Sequence, residues 1–295
     1  MTMQDTPSAL DPVLAANSAA GAREAPASNA PPALGRLADE TPDVMTLHTR
    51  DAYRMFTGRI ADPGSKVPAI PGGRRFATVL RAIWYLSAND NPYADWILIR
   101  IYERLSGIRT QMDQAIDERE AEFERLRRKG LSLSVLASRS PATVTLGFRS
   151  PYGYATAETI VEFDYHVRMV KTLVLKDRLS DEAGRAEIRE VGRGLRALFL
   201  EPIRWERHLL REEMLPLSRR DFLPGADEAA RQRVRAAVAL FGEVPRKVFT
   251  GEEVPRHSQR RIKPTPVELR LMQQASLRAD EEGSAPPVAT EGQLL

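Results

Sequence analysis

Apolar and polar positions in this chain mostly repeat with a helical period, and only a few short stretches alternate. The first alternating stretch is Val44-Met45-Thr46-Leu47-His48-Thr49-Arg50. On a strand, Thr46, His48 and Arg50 share one face and Met45, Leu47 and Thr49 the other, because successive side chains point to opposite sides. Asp51 to Thr57 follows with two turns of helix, closed by Gly58. The loop from Ala61-Asp62-Pro63-Gly64 to Pro71-Gly72-Gly73 is dense in helix breakers. The next helix is expected over about 73–87, where Phe76, Val79, Leu80, Ile83 and Trp84 fall at i, i+3, i+4, i+7 and i+8 and form one apolar face. Strand, short helix, loop and amphipathic helix in that order are the layout of a ribbon-helix-helix DNA-binding unit. In such units two chains pair their strands into an antiparallel ribbon that enters the major groove.

Beyond residue 90 the helical period dominates. Asn91-Pro92 restarts a helix, with Asn as N-cap and Pro at the first helical position. Its stripe of Ile97, Ile101, Leu105, Ile108, Met112, Ile116, Phe123 and Leu126 runs to Gly130, about 50 Å at 1.5 Å per residue. From Asp113 to Lys129 it carries dense charge of both signs, which fits either a strut between two copies or an antiparallel packing element. Leu131, Leu133 and Val135 alternate with serines, and Val144, Leu146 and Phe148 alternate with Thr143, Thr145 and Gly147. These two runs suggest a β-hairpin turning through Ser138 to Ala142. Pro151-Tyr152-Gly153-Tyr154 is read as a break. Helices follow over about 157–175, from an N-cap at Ser180, and over about 227–240. The expected fold is mainly α with a few short β-strands: a ribbon-helix-helix-like unit plus a helical bundle and a β-hairpin.

Composition adds domain limits. All aromatic residues lie between Tyr53 and Phe249. Residues 1–43 are rich in Ala, Pro, Ser and Asn, bury too little apolar surface to offset chain entropy, and are expected to be a disordered arm. The expected division is then 44–90 as the DNA-binding unit, 91–249 as a helical domain with the hairpin, and 250–295 as a basic, then polar, tail. With no cysteine in the chain, disulfides, thiolate metal sites and cysteine nucleophiles are excluded. No signal sequence or membrane-length apolar run is present, so a cytoplasmic protein is expected.

The net charge of +3 is unevenly placed: Val44 to Asp90 and Arg246 to Lys263 each carry +4. Two basic islands suit a polyanion partner. On the strand, Thr46, His48 and Arg50 are the candidates for reading bases, since Arg donates two bonds to guanine and Thr reaches several base edges. Arg54, Arg74 and Arg75 are the candidates for phosphates. Arg74 and Arg75 fall in the first turn of a helix, where they oppose the dipole unless an anion sits there. The strand at 143–149 is a second candidate for the ribbon.

Other motifs are weaker. His208-Leu209-Leu210-Arg211 has the H-x-x-R spacing of tyrosine recombinases, but no tyrosine follows it, so His208 is read as a helix-surface residue. Glu162 and His166 share a helix face while Asp164 points away, and two ligands do not make a metal site. Gly192-Arg193-Gly194 lacks the Lys-Ser/Thr of a phosphate loop. No enzyme, cofactor, metal, membrane or small-molecule ligand is expected.

Several short segments occur in an order that resembles a known family. They are Thr46-Leu47-His48-Thr49-Arg50 with Gly58-Arg59, Asn91-Pro92-Tyr93-Ala94-Asp95-Trp96, Pro151-Tyr152-Gly153-Tyr154 with Phe163-Asp164, and Gly251 with Pro255-Arg256-His257. Over about Val44 to His257 the chain resembles the integrating conjugative element proteins that include AcaB-like transcriptional regulators. The resemblance implies a ribbon-helix-helix protein that activates conjugative-transfer genes in bacteria. Placing the ribbon at Val44 to Arg50 comes from the local pattern, and the first helix is shorter than that motif usually has.

The function expected from the sequence is a regulator of conjugative transfer that binds double-stranded DNA as a homodimer. The alternative is a non-enzymatic adaptor of the conjugation or element-maintenance machinery, docking through the long charged helix. A nucleic-acid-processing enzyme would lack a nucleophile or a metal set.

Overall fold

The computed structural model describes residues 40–60, 68–258, 260 and 264–283, with side chains to residue 274. Most of the 1–43 arm therefore lies outside the described residues, as does Lys66 of the first basic island. Strand β1 is Val44–Leu47, followed by α1 (Arg50–Thr57), α2 (Gly73–Ala88) and α3 (Pro92–Arg128). Strand β2 (Ala142–Thr145) precedes α4 (Pro151–Leu175), α5 (Asp181–Leu209), α6 (Glu228–Phe241), α7 (Arg246–Thr250) and α8 (Pro266–Gly283).

Helices α2 to α5 pack against one another and hold the core. Phe76, Ile83, Ile97, Leu98, Ile160, Phe163, Val167, Leu195 and Phe199 are all buried there, and the Phe76 and Phe199 rings lie 4.6 Å apart. The stripe expected on α2 is the face that enters this core. Because α2 packs on both α4 and α5, the segment 44–90 shares its core with the chain that follows. The Asn91 side chain accepts from the N–H groups of Tyr93 and Ala94, so α3 starts as its sequence dictates.

Three expectations are corrected. The first concerns the ribbon. β1 pairs antiparallel with β2 of the same chain, in the register Val44↔Thr145, Met45↔Val144, Thr46↔Thr143 and Leu47↔Ala142. Its second strand thus comes from the same protomer, and the argument that required a second copy falls. The second concerns the hairpin. The segment 131–138 does not pair with β2 but runs beside α4. Leu136 donates its N–H to the Thr172 hydroxyl, and its carbonyl accepts from Arg168. Alternation specifies which face of a strand is buried, not which strand it joins. The third is the break at Pro151-Tyr152-Gly153-Tyr154, which is the first turn of α4. Ser150 is its N-cap, accepting from Gly153 N–H, and Pro151 sits where a missing N–H costs nothing.

The chain after α5 folds back on the core. A 3-10 turn at Arg219–Phe222 buries Arg219 completely. Its guanidinium meets Asp90 and Asp95, each at 2.8 Å, and donates to the carbonyls of Val248 and Phe249. Arg260 also reaches Asp90, at 2.5 Å, and the Trp84 indole donates to the His257 carbonyl. The Arg256 guanidinium lies over the Tyr102 ring. In the second basic island, Arg260 is therefore neutralised within the fold. Arg261 to Lys263 lie outside the described residues.

Candidate nucleic-acid interface

The ribbon is held at both ends. Before it, the Tyr154 hydroxyl donates to the Asp43 carboxylate. After it, Asp164 of α4 accepts from the N–H groups of His48 and Thr49 and from the Thr49 hydroxyl, at 2.7–3.1 Å. Thr49 in turn caps α1 through the Ala52 N–H. Asp164, read in the sequence as pointing away from Glu162 and His166, is thus the residue that fixes where the strand stops and the helix starts.

This anchoring corrects the placement of the base-reading candidates. Thr46 is exposed on the strand. The strand ends at Leu47, however, so His48 and Arg50 do not share its face. The His48 Nδ1 accepts from the Ser138 N–H, and Arg50 is the first, exposed residue of α1. The side chain opposite Thr46 is that of Thr143 on β2. The outer face of the ribbon therefore carries Val44 and Thr145 as one pair and Thr46 and Thr143 as the next, all exposed, while Met45 and Leu47 are buried beneath.

The chain continues past β2 with the same alternation. Gly147 and Arg149 are exposed, and Leu146 and Phe148 turn inward. Phe148 lies directly on α4: a Cβ placed on Gly153 would come within 2.5 Å of the ring, so only glycine lets the segment lie this close. Between this segment and α2 is a groove of about 220 Å³. Arg74, Thr78 and Arg81 line it from one side and Thr145, Phe148 and Arg149 from the other. The Arg74 guanidinium rests over the Phe56 ring at 5.5 Å. Among the described residues, none of Arg74, Arg81 and Arg149 pairs with a carboxylate.

The remaining phosphate candidates lie elsewhere. Arg75 donates to the buried Glu206 carboxylate on α5, which occupies its charge. Arg54 is exposed on α1 but lines a separate cleft. Arg81 and Arg149 were missed in the sequence. Arg81 lies two turns along α2 from Arg74, and Arg149 continues the outward set Thr143, Thr145, Gly147; both spacings were readable.

The Glu162, Asp164 and His166 trio is drawn three ways. Glu162 is forked by Arg109, and burial raises its carboxyl despite that partner. His166 is 1% exposed, with neither ring nitrogen hydrogen-bonded. Burial first, and the Arg119 cation second, push it down to about 4. Glu187 lies 3.4 Å from its Nε2, yet both Glu187 oxygens are held by Arg119. Among the described residues, no group of three or more His, Asp or Glu could hold a metal, and no helix is long and apolar enough to cross a membrane. His208 is half-buried, edge-on to Phe241, rather than a surface residue.

A mainly helical protein with a two-stranded ribbon bordered by unpaired arginines is the class that these features define. The comparison with known families is more specific. The family model for the transcriptional regulator AcaB matches residues 33–261, and the chain belongs to that family of transcriptional regulators. The match encloses the 44–257 stretch on which the sequence resemblance rested. Among solved structures, the crystal structure of selenomethionine-containing AcaB from uropathogenic E. coli is 16% identical. That match covers 72% of this chain and 95% of that one, with a TM-score of 0.44. No curated protein matches the chain.

Proposed function

We propose that this regulator binds duplex DNA through the β1–β2 ribbon and controls conjugative-transfer genes of an integrative element. A two-stranded ribbon fits the width of the major groove, and threonine hydroxyls and methyls suit base edges there. Thr46 and Thr143 sit at the centre of the outer face, with Thr145 beside them. Arg74, Arg81 and Arg149 flank the ribbon on one side and meet the phosphates. Arg50, at the start of α1, adds a further exposed cation near the other end of β1. Because the ribbon is complete within one chain, the proposed binding unit is the single protomer; a second copy serves only to read a second half-site. The observation that carries this reading is the groove whose three arginines have no carboxylate partner among the described residues, beside an exposed polar strand face.

A duplex titration followed by fluorescence anisotropy over a range of salt concentrations tests it. Arg81→Ala and Arg149→Ala should weaken binding to all sequences, each lowering the slope of log K against log salt by about 0.9. Thr46→Val should instead relax sequence preference by about 1–3 kcal/mol at one position. Binding that ignores both salt and these substitutions defeats the reading. Protein that retards no duplex but co-purifies with another protein of the element would favour the adaptor alternative.

A further inference from the structure

Arg54 belongs to a cleft of about 520 Å³ that none of the roles above uses. Its walls come from three parts of the chain: Arg54 and Met55 of α1, the neck of the loop between α1 and α2, and Arg196 of α5. The neck contributes Arg59, Ile70 and Pro71. It is closed by a two-way backbone bond between Arg59 and Ile70, and by Gly58 and Gly72, which approach so closely that a Cβ on either would lie 2.3 Å from the other strand's backbone. Arg54, Arg59 and Arg196 are all exposed and line this one cleft. Among the described residues no carboxylate lines it, and none of the three is ion-paired. Among the described residues, the Arg59 guanidinium donates to the Pro68 carbonyl.

Three cations facing a shared cavity repel one another, and that repulsion is relieved when an anion enters. The planar donor forks of guanidinium match phosphate oxygens two at a time. The floor of Met55, Ile70 and Pro71 is apolar, so the cleft also offers a surface to the uncharged part of an organic phosphate. We propose that this cleft binds a nucleotide phosphate, with Arg54, Arg59 and Arg196 on its oxygens and the sugar or base against Ile70 and Pro71. The phosphate comes either from a free nucleotide acting as an effector or from a strand of DNA reaching beyond the ribbon.

Isothermal titration of the full chain with ATP in magnesium-free buffer separates these sources, using Arg59→Gln, Arg196→Gln and, as a control in the other groove, Arg149→Ala. If a free nucleotide is the ligand, ATP binds saturably. Each glutamine variant then weakens it at least tenfold, and Arg149→Ala leaves it unchanged. If DNA is the source, ATP gives no saturable heat, and the two glutamine variants lower duplex affinity and flatten its salt dependence. ATP and duplex binding that are both unchanged in the glutamine variants overturn the proposal. Because Arg149→Ala reports on the ribbon groove alone, failure of the cleft is distinguishable from failure of the ribbon.

Discussion

Asp164 is 2% exposed and satisfies three donors that lie 115 or 116 residues away in sequence. That separation is why its role could not be read from its neighbours on α4, although both segments belong to the motif set that carried the family resemblance. Asp164→Ala should leave two backbone N–H groups and a hydroxyl without partners and cost about 3 kcal/mol in urea unfolding. DNA affinity should fall in parallel as the strand loosens. His166 makes a second residue-scale prediction. Its folded pKa of about 4 is below the unfolded value of 6.5, so the unfolded chain binds the extra proton first. Stability is therefore full above pH 6.5, declines as pH falls below that, and has lost its whole contribution once pH drops past about 4. The loss is about 3 kcal/mol at most. His166→Leu should flatten the melting temperature of the protein between pH 7 and pH 4.5.

At the scale of elements, what was legible was what is local. The starts of α3 and α5 were signalled by Asn91-Pro92 and Ser180, and the apolar stripe of α2 gave its buried face. The pairing of β1 was not legible, because the same alternation that marks Met45 and Leu47 as inward is compatible with a partner from another chain, a hairpin or a distant segment. The Pro-Tyr-Gly-Tyr sequence was misread because proline and glycine mark both loops and first turns. The neck between α1 and α2 supplies the prediction here. Gly58 has a φ of +72° and no room for a Cβ, so Gly58→Ala combines backbone strain with a backbone clash. It should destabilise the protein by about 2 kcal/mol or more, read as a fall in the urea midpoint. Ala at Gly225, where nothing lies within 4 Å of the new Cβ, should carry only the strain of its positive φ and cost less.

For the whole molecule, the segment 246–258 and Arg260 strap the corner between α2 and α3, and their bonds to Arg219, Asp90 and Trp84 join parts of the chain that share no local sequence signal. Composition marked this stretch only as basic. Ending the chain at Gly242 should leave Arg219 and Asp90 buried with partners missing, lower stability by about 3 kcal/mol or more, and red-shift the fluorescence of Trp84 as its indole meets water. The topology of the ribbon reaches further still. Its two halves enter the chain nearly a hundred residues apart, so closure waits until α3 and the return segment have been made and the ends brought together. A translation product halted before residue 142, or an excised 44–90 fragment, lacks one half of the ribbon. If the ribbon reads DNA as proposed, such a product would be mute toward an operator even with every amino acid of its first strand in place, and a truncated nascent chain would not compete with finished copies for the same promoter.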